Sequence, residues 1–307
     1  MSVTRIENAV VWTGVQITGQ PDFSVTDAIA FEGDRVIALG AAARKLAADD
    51  VIDANGGFIC HGFGDGHVHS IFGGLEPQFA PVRGHEDPHA IARAVGEWAR
   101  ANPDAEWIRG EGFDHTLAPN GIFYASWLDA EVPDRPVALR ATDYHTVWVN
   151  SAALRLAGYA KGVVQPHDGE IVCDESGEPT GTLREWGAWR PVYSLMPELP
   201  RHMRMAALEH AAHCLRSSGL TWVQDAWVER KDVDTWLEAA EQGILTFRAD
   251  LALWADPNRW SGQLDGFQTD RARVAAAGFE GLSATTVKFF ADGVIESGTG
   301  ALLEPYC

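Results

Sequence analysis

Between residues 201 and 293, apolar stretches alternate with helical ones, and few folds accommodate that order. "RHMRMAALEHAAHCLRSSG" (201–219) reads as a helix, with Leu208, Ala211, Ala212 and Leu215 at i, i+3, i+4 and i+7 and Gly219 placed to end it. The strand "LTWVQDA" (220–226) follows, then a helix near 232–243, the strand "LTFRADLAL" (245–253) and the strand "TTVKFFADG" (285–293). Apolar strands separated by helices imply a parallel sheet covered by helices, because parallel neighbours need a long crossover. The fold class read from this pattern is α/β, with residues 58–70 as the strand that precedes these units.

The rest of the chain is organised differently. Residues 1–57 read as short strands of one small sheet, with "AIAFEGDRVIALG" (28–40) forming a hairpin about Gly33-Asp34. Residues 71–200 are rich in Pro, Gly and Trp, read as irregular, and contain one further hairpin, "GEIVCDESGEPTGTLRE" (169–185).

"HGFGDGHVHS" (61–70) sets His67 and His69 on either side of one valine. Eleven histidines in 307 residues give roughly 0.4 such pairs by chance, so context must decide what the pair means. In a strand, residues i and i+2 share a face, so the two imidazoles would project side by side toward a shared metal. Catalytic groups of βα folds gather at the C-terminal ends of strands. Those ends carry His67 and His69, then Asp225, then Lys288 with Asp292 four residues on. A buried lysine loses its proton readily and can react with CO₂, and the resulting carbamate is an anionic ligand able to bridge two metal ions. Imidazole and oxygen ligands point to Zn²⁺, one ion or two. Such ions would activate a hydroxide and polarise a carbonyl, as amide or ester hydrolysis requires.

"GFICHGFGDGHVHS", the helix followed by "GLTWVQDA", and "VKFFADG" resemble the amidohydrolase superfamily of metal-dependent hydrolases. "WIRGEGFDHT", "PDRPVALRATDYHTVWVNSAAL", "GEPTGTLRE" and "VKFFADG…LLEPY" narrow the resemblance to amidohydrolase family 3, the branch that includes N-substituted formamide deformylases. The resemblance implies a (β/α)₈ TIM barrel with His-x-His on strand 1 and a metal-bridging carboxylated lysine on strand 4, where Lys288 falls. It also implies a small β-sandwich built from both chain ends. The expected domains are 1–57 as the N-terminal part of that sandwich, 58–70 as barrel strand 1, 71–200 as an insertion or lid, and 201–307 as barrel strands 2–4. The family's remaining ligands, histidines on strands 5 and 6 and a general-base aspartate on strand 8, would lie beyond Cys307. No residue of the chain is therefore assigned as the general base.

The expected function is metal-dependent hydrolysis of a non-peptide, amide-like C–N bond in a small molecule, with this chain as the N-terminal part of a longer enzyme, inactive alone. The alternative is a non-catalytic remnant, or one subunit of a split protein completed by a partner chain or by self-association through the open barrel edge. A net charge of −19 without Lys/Arg clusters argues against nucleic acid or an anionic membrane as partner. Four scattered cysteines and the absence of a secretion signal favour a cytoplasmic protein.

Other residues carry weaker signals. Asp225 and Asp292 are candidates to brace the ligands. Asp143, His145 and Glu185 could line the pocket, orient substrate or only brace the insertion. Asp114 and His115 read equally as a cap or a turn. His210 and His213 in "EHAAH" have the wrong order for a zinc motif and read as a solvated helix face. Trp107, Trp148, Trp186 and Trp189 could wall an apolar pocket or pack the core.

Overall fold

The computed structural model describes residues 2–16, 23–257, 259–293, 295 and 300–306. It divides into two compact units, residues 1–64 with 219–222 and residues 65–218 with 223–307. In the first, β1 (Val3–Gln16) pairs antiparallel with β2 (Phe23–Glu32), and β2 pairs antiparallel with β3 (Arg35–Leu39). The turn between β2 and β3 carries Gly33 at φ 62°, a left-handed value that tight hairpins draw on glycine to supply. Helix α1 (Gly40–Lys45) follows, then β4 (Asp50–Asp53) and β5 (Phe58–Ile59), both parallel to β1. Ala28, Ala30 and Ala43 form the small core of this layer.

Next, β6 (Phe63–Val68) leads into α2 (Ser70–Leu75) and α3 (Pro88–Ala101). Helix α3 shows how sequence sets an element. The Asp87 carboxylate accepts the His89 and Ala90 amides, Pro88 occupies the first turn, and Ile91, Ala92, Val95 and Ala99 share the buried face.

The segment read as irregular is a folded layer. Strands β7 (Ile108–Phe113), β8 (Val137–Ala141), β9 (Thr146–Val149), β10 (Glu170–Cys173) and β11 (Pro179–Arg184) form a five-stranded sheet in the order β10-β11-β9-β8-β7. Strands β8 and β9 are buried at every position, so they lack the alternation by which a half-exposed strand is recognised. The hairpin expected at 169–185 is β10 and β11, paired antiparallel. Helices α4 (Ala125–Asp129), α5 (Ser151–Leu156) and α6 (Glu185–Tyr193) complete the layer, with one core around Phe113, Phe123 and Trp148 and a second around Leu183 and Trp189.

The alternating elements follow as α7 (Arg201–Ser217), β12 (Leu220–Val228), α8 (Arg230–Glu241), β13 (Arg248–Trp254), α9 (Trp260–Ala277) and β14 (Leu282–Lys288). Strands β6, β12, β13 and β14 are neighbours in that order, and β13 and β14 run parallel. Helix α9 was not read from the sequence, and the last strand ends at Lys288 rather than continuing to 293. Leu208, Val223, Trp236, Leu251 and Val274 pack the helices onto this sheet. No helix among the described residues is long and apolar enough to cross a membrane. Cys60, Cys173 and Cys214 are free thiols, and Cys307 lies outside the described residues.

Helix α2 lies hard against α7. A Cβ on Gly74 would overlap the Ala207 carbonyl, whereas one on Gly73 meets nothing within 4 Å. Gly74→Ala should cost about 1–3 kcal/mol of unfolding free energy, while Gly73→Ala should be neutral or gain up to about 1 kcal/mol. Urea unfolding of both variants checks this; equal effects would contradict the close α2–α7 contact.

Candidate metal centre and adjoining cavity

His67 sits near the end of β6, and His69 is the residue just before α2, with φ −128° and ψ 78°. The strand therefore stops between the two histidines. Their rings still come together, with centroids 5.2 Å apart and planes at 88°. Two carboxylates hold this corner. Asp65 Oδ1 accepts the His67 amide at 3.0 Å, and Asp225 Oδ2, on β12, accepts the Ser70 amide at 2.9 Å. The other oxygen of Asp225 accepts the Trp227 amide at 3.2 Å. Asp225 is 2% exposed, and burial pushes its carboxyl up to about 7 against the pull of those amides.

Both imidazoles are shifted toward the neutral form. Burial lowers His69 to about 4, helped by His67, Lys288 and Arg140. Burial and then Lys288 also lower His67, against the opposing pull of Asp65. His69 Nδ1 is sealed from solvent and has no hydrogen-bond partner. A neutral imidazole with an unpartnered buried nitrogen is the form that binds a metal ion, so the pair suits one. Lys288 ends β14 opposite Trp254 of β13, is half-buried rather than buried, and holds its Nζ 4.9 Å from the Phe290 ring. Among the described residues no three His, Cys, Asp or Glu side chains gather where they could hold a metal ion. What the corner offers is two imidazoles and one amine.

Asp292 does not join this group: it is exposed, and its carboxylate accepts the Ala301 amide at 2.9 Å. Asp143 builds a turn, accepting the His145 and Thr146 amides, each at 2.9 Å, and the Thr146 hydroxyl at 2.8 Å. That turn brings the Tyr144 ring to 5.9 Å from His69. His145 Nδ1 lies 2.8 Å from Glu185 Oε2. Burial pulls His145 down, but Glu185 and Asp143 outweigh it and leave the imidazole above its ordinary value. Glu185 takes φ 61° and Tyr144 φ 62°, left-handed values that are strained for non-glycine residues. Of the three residues the sequence offered as lining, orienting or bracing groups, the structure brings His145 and Glu185 together and gives Asp143 to the turn.

Asp114 caps a short turn through the Thr116 amide, His115 lies 3.9 Å from Asp143, and His210 and His213 are exposed on α7. Trp107 packs into the apolar core beside α5 and α6, and Trp148 is fully buried.

Trp186 and Trp189 do face open space. They line a cavity of about 450 Å³ together with Phe72, Trp227, Trp254 and Arg140. Phe72 and Trp227 also lie 6.0 and 6.1 Å from the His69 ring, so the cavity and the histidine pair share a wall. Trp186 stacks on Trp254 at 5.5 Å and 7°, and Phe290 touches both Trp186 and Trp227. The volume falls within the range of small-molecule sites. Arg140 and Glu111, which meet beside the cavity, were missed in the sequence. The available signal was a charge inside the apolar run "PVALRA".

The sheet thus carries a histidine pair at the end of β6 and a lysine at the end of β14. The crystal structure of a metal-dependent hydrolase from Pyrococcus furiosus shares this fold, with a TM-score of 0.64 at 23% identity over 99% of this chain and 59% of that one. Residues 50–307 match the profile of the amidohydrolase family, and the chain belongs to that family. It is 30% identical over 265 residues to YtcJ of Bacillus subtilis (strain 168), covering 83% of this chain and 47% of that protein. It is 29% identical over 238 residues to an N-substituted formamide deformylase of Arthrobacter pascens, covering 73% and 43%. The chain spans about half the length of the curated relatives it matches.

The buried Asp225 gives a signed pH effect. Its carboxyl lies at about 7 in the folded chain against 3.8 ordinarily, so the folded state favours the protonated form. That contribution is fully present below 3.8 and is lost as pH rises to about 7. Asp225→Asn keeps one acceptor and removes the titration. Stability of the Asn variant relative to wild type should therefore rise between those pH values, as read by urea unfolding at several pH values. A flat or falling difference would contradict the assignment.

Proposed function

We propose that this chain is part of a metal-dependent amidohydrolase that cleaves an amide-like, non-peptide C–N bond in a small molecule. The observation that carries the reading is the sealed, unpartnered Nδ1 of His69 beside the ring of His67. His67, His69 and Lys288 would hold the metal, with Lys288 carboxylated where two ions bind. Zn²⁺ suits the imidazole donors. A bound divalent ion supplies an activated water and polarises the scissile carbonyl.

The chain's own residues do the rest. His67 and His69 present neutral nitrogens, and Asp225 fixes the corner between β6 and α2 on which His69 stands. The tryptophans of the cavity exclude water and pack the apolar part of the substrate. The His145–Glu185 pair braces the turn that sets Tyr144 against His69. The relation to N-substituted formamide deformylase supports the C–N bond class. Strands β6, β12, β13 and β14 serve as strands 1–4 of a barrel, and coverage of about half of each relative supports placing the other strands elsewhere in a longer protein. The general-base aspartate belongs to that part.

Metal content measured by mass spectrometry tests the ligand assignment. His67→Ala and His69→Ala should each reduce bound zinc at least tenfold, in line with the loss of one ligand from a small set. Unchanged metal stoichiometry in both variants would overturn it.

A further inference from the structure

Arg140 stands apart from the other cations around the cavity. Arg190 and Arg259 pair with Asp256, Lys231 pairs with Glu229, and Arg109 and Arg204 donate to the Pro197 and Leu199 carbonyls. Arg140 is 5% exposed and has Trp189 and Tyr193 against it, its guanidinium carbon 4.8 and 4.5 Å from their ring centres. Its Nε is engaged, donating to the Tyr193 hydroxyl at 3.3 Å and lying 3.7 Å from Glu111. Among the described residues, no hydrogen bond reaches Nη1 or Nη2. Arg140 lines the cavity that shares Phe72 and Trp227 with His69.

A buried guanidinium pinned at Nε and by its faces, with both terminal nitrogens unbonded, is a rigid fork for a planar anion. Its ion pair with Glu111, 3.7 Å away on the Nε side, leaves the two terminal nitrogens uncompensated, which is costly in a buried site. Bidentate pairing with a carboxylate satisfies both nitrogens at once. Glu111 does not serve that end: it approaches from the Nε side, its Oε2 has no hydrogen bond, and burial shifts its carboxyl toward the neutral acid. We infer that Arg140 is the specificity determinant for a carboxylate carried by the substrate, bound in the cavity while the amide-like group lies toward His67 and His69. This names the substrate class as N-acylated or amide compounds bearing an acid group, and it rests on the hydrolase reading only for the reaction.

The test uses small probes that need no turnover. Calorimetric titration with benzoate and with benzamide, its neutral counterpart, is run on the purified protein and again after chelation of metals. Benzoate should bind at least about tenfold more tightly than benzamide in both states. Arg140→Gln should erase that preference, and Arg140→Lys, which keeps the charge without the fork, should keep part of it. If Arg140→Gln fails to fold, the wild-type and Arg140→Lys titrations decide: a preference undiminished in Arg140→Lys overturns the inference. Equal binding of the two probes, no benzoate binding up to about 10 mM, or a preference that survives in Arg140→Gln overturns the inference. A preference that vanishes on chelation places the carboxylate on the metal and also overturns it. An Arg140-dependent preference after chelation stands even if the histidine variants show the metal reading to be wrong.

Discussion

The centre rests on one buried carboxylate. Asp225 reaches from β12 to the Ser70 amide, a contact between residues 155 positions apart in sequence, and thereby ties the end of β6 to its neighbour in the sheet. A buried charge-capable group is costly, and this one is tolerated because two backbone amides converge on it. The same contact starts α2, fixes the backbone at His69 and sets that ring against His67 and Trp227.

A second constraint comes from the layer built by residues 108–184. It delivers side chains to the sheet from two strained points, Tyr144 and Glu185, both held in the left-handed region. Tyr144 meets His69, and Trp186, one residue after Glu185, stacks on Trp254. The His145–Glu185 contact joins the two points, so strain at each is supported by the other. This layer forms part of the wall of the cavity, and it contributes Arg140, whose terminal nitrogens take part in no hydrogen bond among the described residues.

Much of the architecture was legible because the physics is local. Helix α7 and the strands after it follow from period and from a terminating glycine, and the histidine pair follows from its place after a glycine-rich strand. The place of Lys288 at the end of the last strand of that sheet follows from the same order of elements. The five-stranded sheet of residues 108–184 was not legible, because β8 and β9 are buried on both faces and short, and such runs carry no period. Asp292 misled for a related reason: its spacing from Lys288 suggested a shared face, but the strand ends at Lys288 and the carboxylate turns to the Ala301 amide. Trp107 was indistinguishable by type from Trp186, and only packing separates the core residue from the wall residue. Arg140 was hidden by the same logic, since its role depends on which rings and which carboxylate surround it rather than on its neighbours in sequence.

The measurement that bears most directly on the central claim is an anomalous difference map at the zinc edge from crystals of the protein grown with zinc. The account predicts a peak at bonding distance, about 2.0–2.1 Å, from a ring nitrogen of both His67 and His69. Electron density should continue from Lys288 Nζ toward that peak. A map with no peak at the histidine pair, or a peak bound only by side chains elsewhere, would contradict it.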